Sequence, residues 1–423
     1  FDRFLADQVA PCADSPRLHV LRRGSPHVPA SAYDGGAAPC GGYFLQHGRT
    51  GAAVDPGPGF VADFMDAGFA FSQVGSVFIS NAQEGQCGGL ASILALLHAY
   101  NEGVGRDVRA AVAKDAALGR FPDLDGRTER EILEALSAEY ERRFSEQRKR
   151  VDVYLSLGAF RTHAPLLAAG DPCGCRAHVL EAGHPPVELG DGVRVLPIPA
   201  WRAGGDCGQG ALGLVWEFET SALVYTGETA YTPRIGREYA EIRGRLRSPD
   251  KPVALLARLG GSGKTEKDVS EGQLEYGEAF RGDCLGRNGV IALADALRPG
   301  LVILSGMGEE LCGQRARLAG LFGDVFGDCG IRFLPADAGF CINGALEVWA
   351  VDRVDYSQGR AFPVLVRRFV PYASVRAEEE GAHILYYNAG TRADVDGLMS
   401  QALQGRRDGR KNPLPHEAVL LAD

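Results

Sequence analysis

The sequence has no apolar run of about 18 residues, the length a membrane-crossing helix needs, so no membrane span is expected. It has no low-complexity tract and no repeat at a solenoid period, which excludes fibrous, disordered and solenoid classes. Residues 1–16, FDRFLADQVAPCADSP, carry neither the basic stretch nor the apolar core of a secretory leader. Position 1 is Phe rather than Met, which leaves open whether residues precede it. Cysteine is sparse: ten residues in 423 fall far below a secreted disulfide scaffold. Most of them sit in apolar or Gly-rich stretches, where a free thiol behaves as a small hydrophobe, and a reducing, cytoplasmic location is expected. Basic residues are outnumbered, 45 against 54, and the net charge of −9 disfavours a whole-surface nucleic-acid binder.

What is present fits a globular protein of one large, elaborated domain or two ordinary ones. Short apolar stretches with strand character lie at 17–21, 42–46, 51–55, 74–80, 151–156, 177–181, 193–198, 212–219, 221–226, 252–257 and 301–305. Helical periodicity marks 60–67, 89–100, 288–297 and 312–322. Residues 106–150 are helical and highly charged, interrupted at Pro122-Asp123, and are expected to form an inserted, solvated helical segment. Paired strands come first, then βα units, then more strands and helices. That order favours two mixed sheets packed together with helices outside, an α+β fold, over one doubly wound parallel sheet.

Several motifs fail on inspection. Gly260-Gly-Ser-Gly-Lys-Thr265 imitates a phosphate-binding loop, but position 258 is Arg where that loop needs Gly, so a flexible loop is expected. Cys173-Gly174-Cys175 with His178 and His184 has no familiar zinc spacing and is expected to be a hairpin turn with incidental thiols. None of Ser80, Ser221, Ser262 and Ser305 stands in a nucleophile elbow. Cys284 is a conceivable nucleophile, but no base is evident for it and burial is expected. The basic clusters Arg148-Lys149-Arg150, Arg243–Arg247 and Arg406–Lys411 are short and lack interleaved aromatics. They suit solvated surface better than a nucleic-acid interface, although nucleic acid is not excluded as a partner.

The informative stretch is 43–100. Val54-Asp55-Pro56-Gly57 ends a strand; Val77-Phe78-Ile79-Ser80 forms another; Asn81-Ala82-Gln83-Glu84-Gly85-Gln86 follows, then Gly88-Gly89 and a helix. Downstream come Leu223–Thr229 (LVYTGET), Leu301–Ser305 (LVILS) and Leu334–Gly339 (LPADAG). In order and spacing these segments resemble the metallo-β-lactamase superfamily over about residues 17–345. The resemblance implies an αββα sandwich spanning 1–345 with the helical insert at about 106–150, and a strand/helix elaboration at 346–423 packed on the same domain.

The resemblance also implies where metal ligands would lie, and none of the nine histidines falls there. Asn81, Gln83 and Gln86 stand at three histidine positions, Gly85 at an aspartate, Trp201 at the third-motif histidine and Glu228 at the bridging aspartate. The last histidine would fall near Arg258, Cys284 or Gly306. Zinc takes imidazole, thiolate or carboxylate, and a carboxamide is a weak ligand for it. No cofactor is therefore expected, with zinc as the runner-up. Uncharged Asn and Gln would satisfy the loop backbone, Trp201 would fill part of the vacated space, and Glu228 would pair with Arg202 or Arg258.

The favoured function is a non-hydrolytic pseudoenzyme acting as scaffold, sensor or assembly subunit, with a protein partner or self-association expected and a small-molecule ligand left open. One alternative is a metal-dependent hydrolase of phosphodiester, thioester or lactam type, its site rebuilt from His47, Glu84, Cys87, Glu228 or Cys284. A second is a metal-free enzyme using Cys284, Glu228 or Tyr225 in a pocket that also takes in Glu84, Arg202 and Arg258.

Overall fold

A computed structural model describes residues 13–22, 40–121, 128–170, 173–202, 210–261, 279–308, 315–336, 340–356 and 365–371. Sixteen strands form two mixed sheets among these residues. The nine-stranded sheet runs β16-β15-β14-β1-β2-β3-β4-β5-β6. Its strands are β1 (Ala13–Arg22), β2 (Cys40–Gly48), β3 (Thr50–Val54), β4 (Val74–Ile79), β5 (Val151–Ser156), β6 (Cys175–Leu180), β14 (Cys341–Asn343), β15 (Val348–Tyr356) and β16 (Leu365–Pro371). The seven-stranded sheet runs β13-β12-β11-β10-β9-β8-β7. It comprises β7 (Val187–Gly190), β8 (Val193–Pro199), β9 (Leu212–Glu217), β10 (Ala222–Tyr225), β11 (Val253–Gly260), β12 (Leu301–Met307) and β13 (Arg332–Pro335).

Period-two alternation explains how the sheets stack. In β10, Leu223 and Tyr225 face the other sheet, while Ala222 and Val224 face outward. In β11 and β12, Ala254, Leu256, Leu301 and Ile303 join the inter-sheet core, and Val253, Leu255, Val302 and Leu304 the outer one. In β3 and β4, Ala52, Val54 and Phe78 point inward, and Ala53, Val77 and Ile79 outward. These strands are buried on both faces, hence their near-continuous apolar sequence.

Helices cover both outer faces. On the nine-stranded sheet lie α1 (Phe60–Asp66), the one-turn α2 (Glu84–Cys87), α3 (Leu90–Ala117) and α5 (Leu157–Gly170), sharing a core with Phe44, Val77 and Val153. The other sheet is covered by α6 (Pro233–Ala240), α7 (Ile242–Arg245), α8 (Gly286–Leu297) and α9 (Arg315–Val325), packed on Val224, Leu255 and Leu304. This is the αββα sandwich expected from the element order.

Two local expectations are corrected. The charged segment does not start a new helix at 106, because α3 runs unbroken from Leu90 to Ala117. Leu90, Ile93, Leu94, Leu97, Asn101, Gly105, Val108 and Val112 keep one face buried at spacings of three and four, so nothing ends the helix near residue 100. The second charged helix, α4 (Glu129–Gln147), starts at a capping box in which Thr128 and Glu131 satisfy each other's backbone N–H, and it buries no residue. Cys173–Cys175 is not a hairpin turn: β6 pairs parallel to β5, and the cysteines lie where α5 returns to the sheet.

At the far edge, β15 pairs antiparallel with β14 and β16 with β15. Ser262, Asp337–Gly339, the Arg406–Lys411 cluster, His383, His416 and the rest of 372–423 lie outside the described residues. Among the described residues no helix is long and apolar enough to cross a membrane.

Candidate functional site

Asn81 follows β4, Arg202 follows β8, Glu228 follows β10, Arg258 ends in β11 and Gly306 in β12. All lie at carboxyl ends of strands, so the two sheets present them on one rim, where open α/β sheets place their crevices. The loop carrying Asn81 is pinned by the turn at residues 55–58. Gly89 donates its N–H to the Pro56 carbonyl at 2.9 Å, and a Cβ there would sit 2.6 Å from the Gly57 oxygen. The Asp-Pro-Gly and Gly-Gly segments are thus the two halves of one contact, and a side chain at 89 would part them.

Beneath the rim lies a buried polar layer. Asp55 is fully buried with a positive φ of 46°. Its Oδ1 accepts from the Ser80 N–H at 2.7 Å; its Oδ2 accepts from the Ser80 hydroxyl at 2.7 Å and the Tyr225 hydroxyl at 2.5 Å. Tyr43 bonds Ser305 in the same layer. A buried carboxylate needs such donors, since an unmet partner costs about 1–3 kcal/mol. The sequence marks Asp55 only as a motif residue and Ser80 only as a serine outside any nucleophile elbow, and does not show the layer they form. The signal available was a strand-ending Asp before Pro-Gly.

At the rim, Glu228 is the hub. It is 6% exposed. Its Oε2 accepts from Asn81 Nδ2 at 3.2 Å and Gln86 Nε2 at 3.3 Å, and its Oε1 accepts from Arg202 Nη1 at 3.1 Å. Arg258 Nη1 lies 3.9 Å from Oε2. With the Gln83 carboxamide turned to match its neighbours, its nitrogen donates to both Glu228 oxygens and its oxygen accepts from Arg202. Asn81 also accepts from the Gln83 N–H at 2.8 Å, so both ends of its amide are used. The amides therefore serve the Glu228 carboxylate, and Asn81 the loop backbone as well. Arg258 is 4% exposed. Burial works against its charge, but Tyr225, Glu228, Tyr43 and Asp55 outweigh that and raise its pKa above the ordinary guanidinium value.

Trp201 does not plug the space: its backbone N–H donates to the Thr229 hydroxyl at 2.9 Å, but the residue is 42% exposed. Gly85 is buried and contributes no side chain, while Glu84 is exposed in the first turn of α2. Tyr225 is fully buried, stacked on Trp216 at 5.7 Å, and so belongs to the layer below. Cys284, 9% exposed, and Asp283 line a cavity of about 60 Å³ beside Arg258, Gly306, Glu228 and Arg202. Arg281 holds the Asp283 carboxyl below its usual range.

The rebuilt metal site does not assemble. His47 pairs with Thr50 across the β2–β3 turn, at the opposite end from the Tyr43–Val54 pair next to Asp55, and lies 3.6 Å from Asp191. Burial holds its pKa down despite that carboxylate. Cys87 donates to the Gln83 carbonyl at 3.0 Å. Among the described residues no three His, Cys, Asp or Glu side chains converge to hold a metal. The residues at the family's ligand positions do not fit a zinc cluster: three are amides, and the one carboxylate already faces two guanidiniums.

No family model matches the chain, and no curated protein matches it. Among solved structures it is similar to the metallo-β-lactamase fold protein YhfI from Bacillus subtilis, at 10% identity and a TM-score of 0.50, covering 78% of this chain and 100% of that one. Also similar are the short form of human tRNase Z (TM-score 0.44, 9% identity, covering 77% and 98%) and a diphosphatase of the PhnP family (0.41, 12%, 75% and 94%). The chain has the metallo-β-lactamase fold. At these identities the likeness carries the fold and nothing of the chemistry.

Proposed function

We propose that this metallo-β-lactamase-fold chain is a metal-independent, non-hydrolytic member of the fold, acting as a sensor, scaffold or assembly subunit. One observation carries the reading. The carboxylate at the family's bridging position is held by Arg202 at 3.1 Å, with Arg258 at 3.9 Å and two neutral amides at 3.2 and 3.3 Å. Two guanidinium charges occupy the space in which a two-zinc cluster would bring its own positive charge. A divalent ion entering there would meet like charge and carboxamide donors. Without a metal the rim lacks the means of making hydroxide at neutral pH that metal-dependent hydrolysis uses.

The test is metal content. Protein purified without chelator and dialysed should contain zinc, iron and manganese far below one equivalent. Its thermal midpoint should be the same with EDTA as without. Near-stoichiometric zinc that survives dialysis and disappears in Glu228→Gln overturns the reading.

A further inference from the structure

We propose that the cavity beside Arg258 is a binding site for a single small oxyanion, the phosphate or carboxylate group of a ligand. The proposal rests on the metal-independent reading and names the ligand class of the same rim. Arg258 is 4% exposed, yet its Nε and Nη1 have no hydrogen-bond partner among the described residues. Glu228, at 3.9 Å from Nη1, is an ion-pair partner beyond hydrogen-bond reach. Buried donors are almost always satisfied, so these ask for an acceptor. A guanidinium has no acceptor of its own, and its planar set of N–H groups matches an oxyanion.

The surroundings leave space for one. The cavity of about 60 Å³ holds a few waters or one small oxyanion. Position 306 keeps it open: Gly306 has φ +59°, and a Cβ there would lie 2.9 Å from Arg258 Nε. Two guanidiniums, those of Arg202 and Arg258, line the cavity. Both are ion-paired with Glu228, while Asp283 is held by Arg281 through bonds of 3.0 and 2.8 Å. Asp55 helps keep Arg258 charged from below, but both its oxygens bond Ser80 or Tyr225.

The experiment uses the full chain, with zinc content measured on the same preparation. Inorganic phosphate and acetate are titrated against sodium chloride of equal ionic strength, following the melting midpoint and heats of binding. At saturating phosphate or acetate the midpoint should rise by about 2 °C or more beyond the chloride control. Arg258→Lys, which keeps a cation beside Glu228 but loses the planar donors, should weaken binding at least about tenfold. On the parent protein, the bound anion should slow alkylation of Cys284, which lines the same cavity. The better of the two anions names the ligand group. Neither anion exceeding chloride overturns the proposal, and so does binding that leaves the Cys284 rate unchanged. Those results on metal-free protein leave the metal-independent reading standing, whereas stoichiometric zinc overturns that reading whatever phosphate does.

Discussion

Two regions of this molecule are built from arginine and carboxylate, one under cover and one in water. At the rim, Glu228 and Arg258 have side chains 7% and 5% exposed, and the amides of Asn81 and Gln86 donate to the same carboxylate. Between α3 and α4, Arg143 bonds Asp115 at 2.8 Å and Glu139 at 2.6 Å, while Arg142 bonds Glu139 and Glu146 at 2.7 Å, with Arg142 56% exposed. The distances are no longer at the surface than at the rim. The difference lies in the medium. Coulomb energy scales inversely with the local dielectric, so a lost partner is replaced by water at the surface and by nothing at the rim.

Glu228→Ala should break the comparison most strongly. Removing it leaves Arg202 and Arg258 without their shared carboxylate, and urea unfolding should show a loss of about 3–5 kcal/mol. A loss no larger than that of a surface substitution would mean that water reaches the rim freely. Asp55→Asn comes next, at about 2–3 kcal/mol by the same measurement. Asn tolerates the positive φ at 55, so the change isolates the bonds from Ser80 and Tyr225.

Lys149 sharpens the contrast, because it is half-buried and pairs with no carboxylate among the described residues. Its Nζ donates to the Ser72 carbonyl at 2.9 Å and lies 5.7 Å from the Phe71 ring centre, and burial lowers its pKa to about 8. Between that value and the ordinary lysine value the unfolded chain binds more protons, so stability should rise with pH across the window. Lys149→Met should abolish that part of the slope, read from unfolding curves at successive pH.

Glu139 should give the smallest effect. Arg142 and Arg143 hold its carboxyl down to about 2. The contribution is therefore present above the ordinary glutamate value and lost as pH falls through about 2. Carbon-detected NMR should find Glu139 ionised to about that pH, while Glu139→Gln barely moves the neutral-pH midpoint and 1 M salt removes the difference.

Much of the fold was legible because strands buried on both faces must be apolar throughout. Leu223–Tyr225, Val253–Ala257 and Leu301–Leu304 announce themselves for that reason. The continuity of α3 past residue 105 was harder to see, since Val108 and Val112 are its sparse apolar marks in a charged stretch. The convergence of Asn81, Gln86, Arg202 and Arg258 on Glu228 followed the motif frame. The role of Trp201 did not, because sequence position specifies which residue sits at a rim but not which way its side chain turns.

The sequence by itself determined the sandwich and the identities at the rim: amides, arginines and one glutamate where histidines would stand. The two packed sheets follow from local patterning and the rim positions from the motif resemblance, neither of which needs coordinates. Only the tertiary structure decided that the glutamate is gripped by residues up to 147 positions away, and that Arg258 keeps buried donors open to a cavity. Pairing across two sheets depends on how those sheets stack, and no segment of chain carries that information alone.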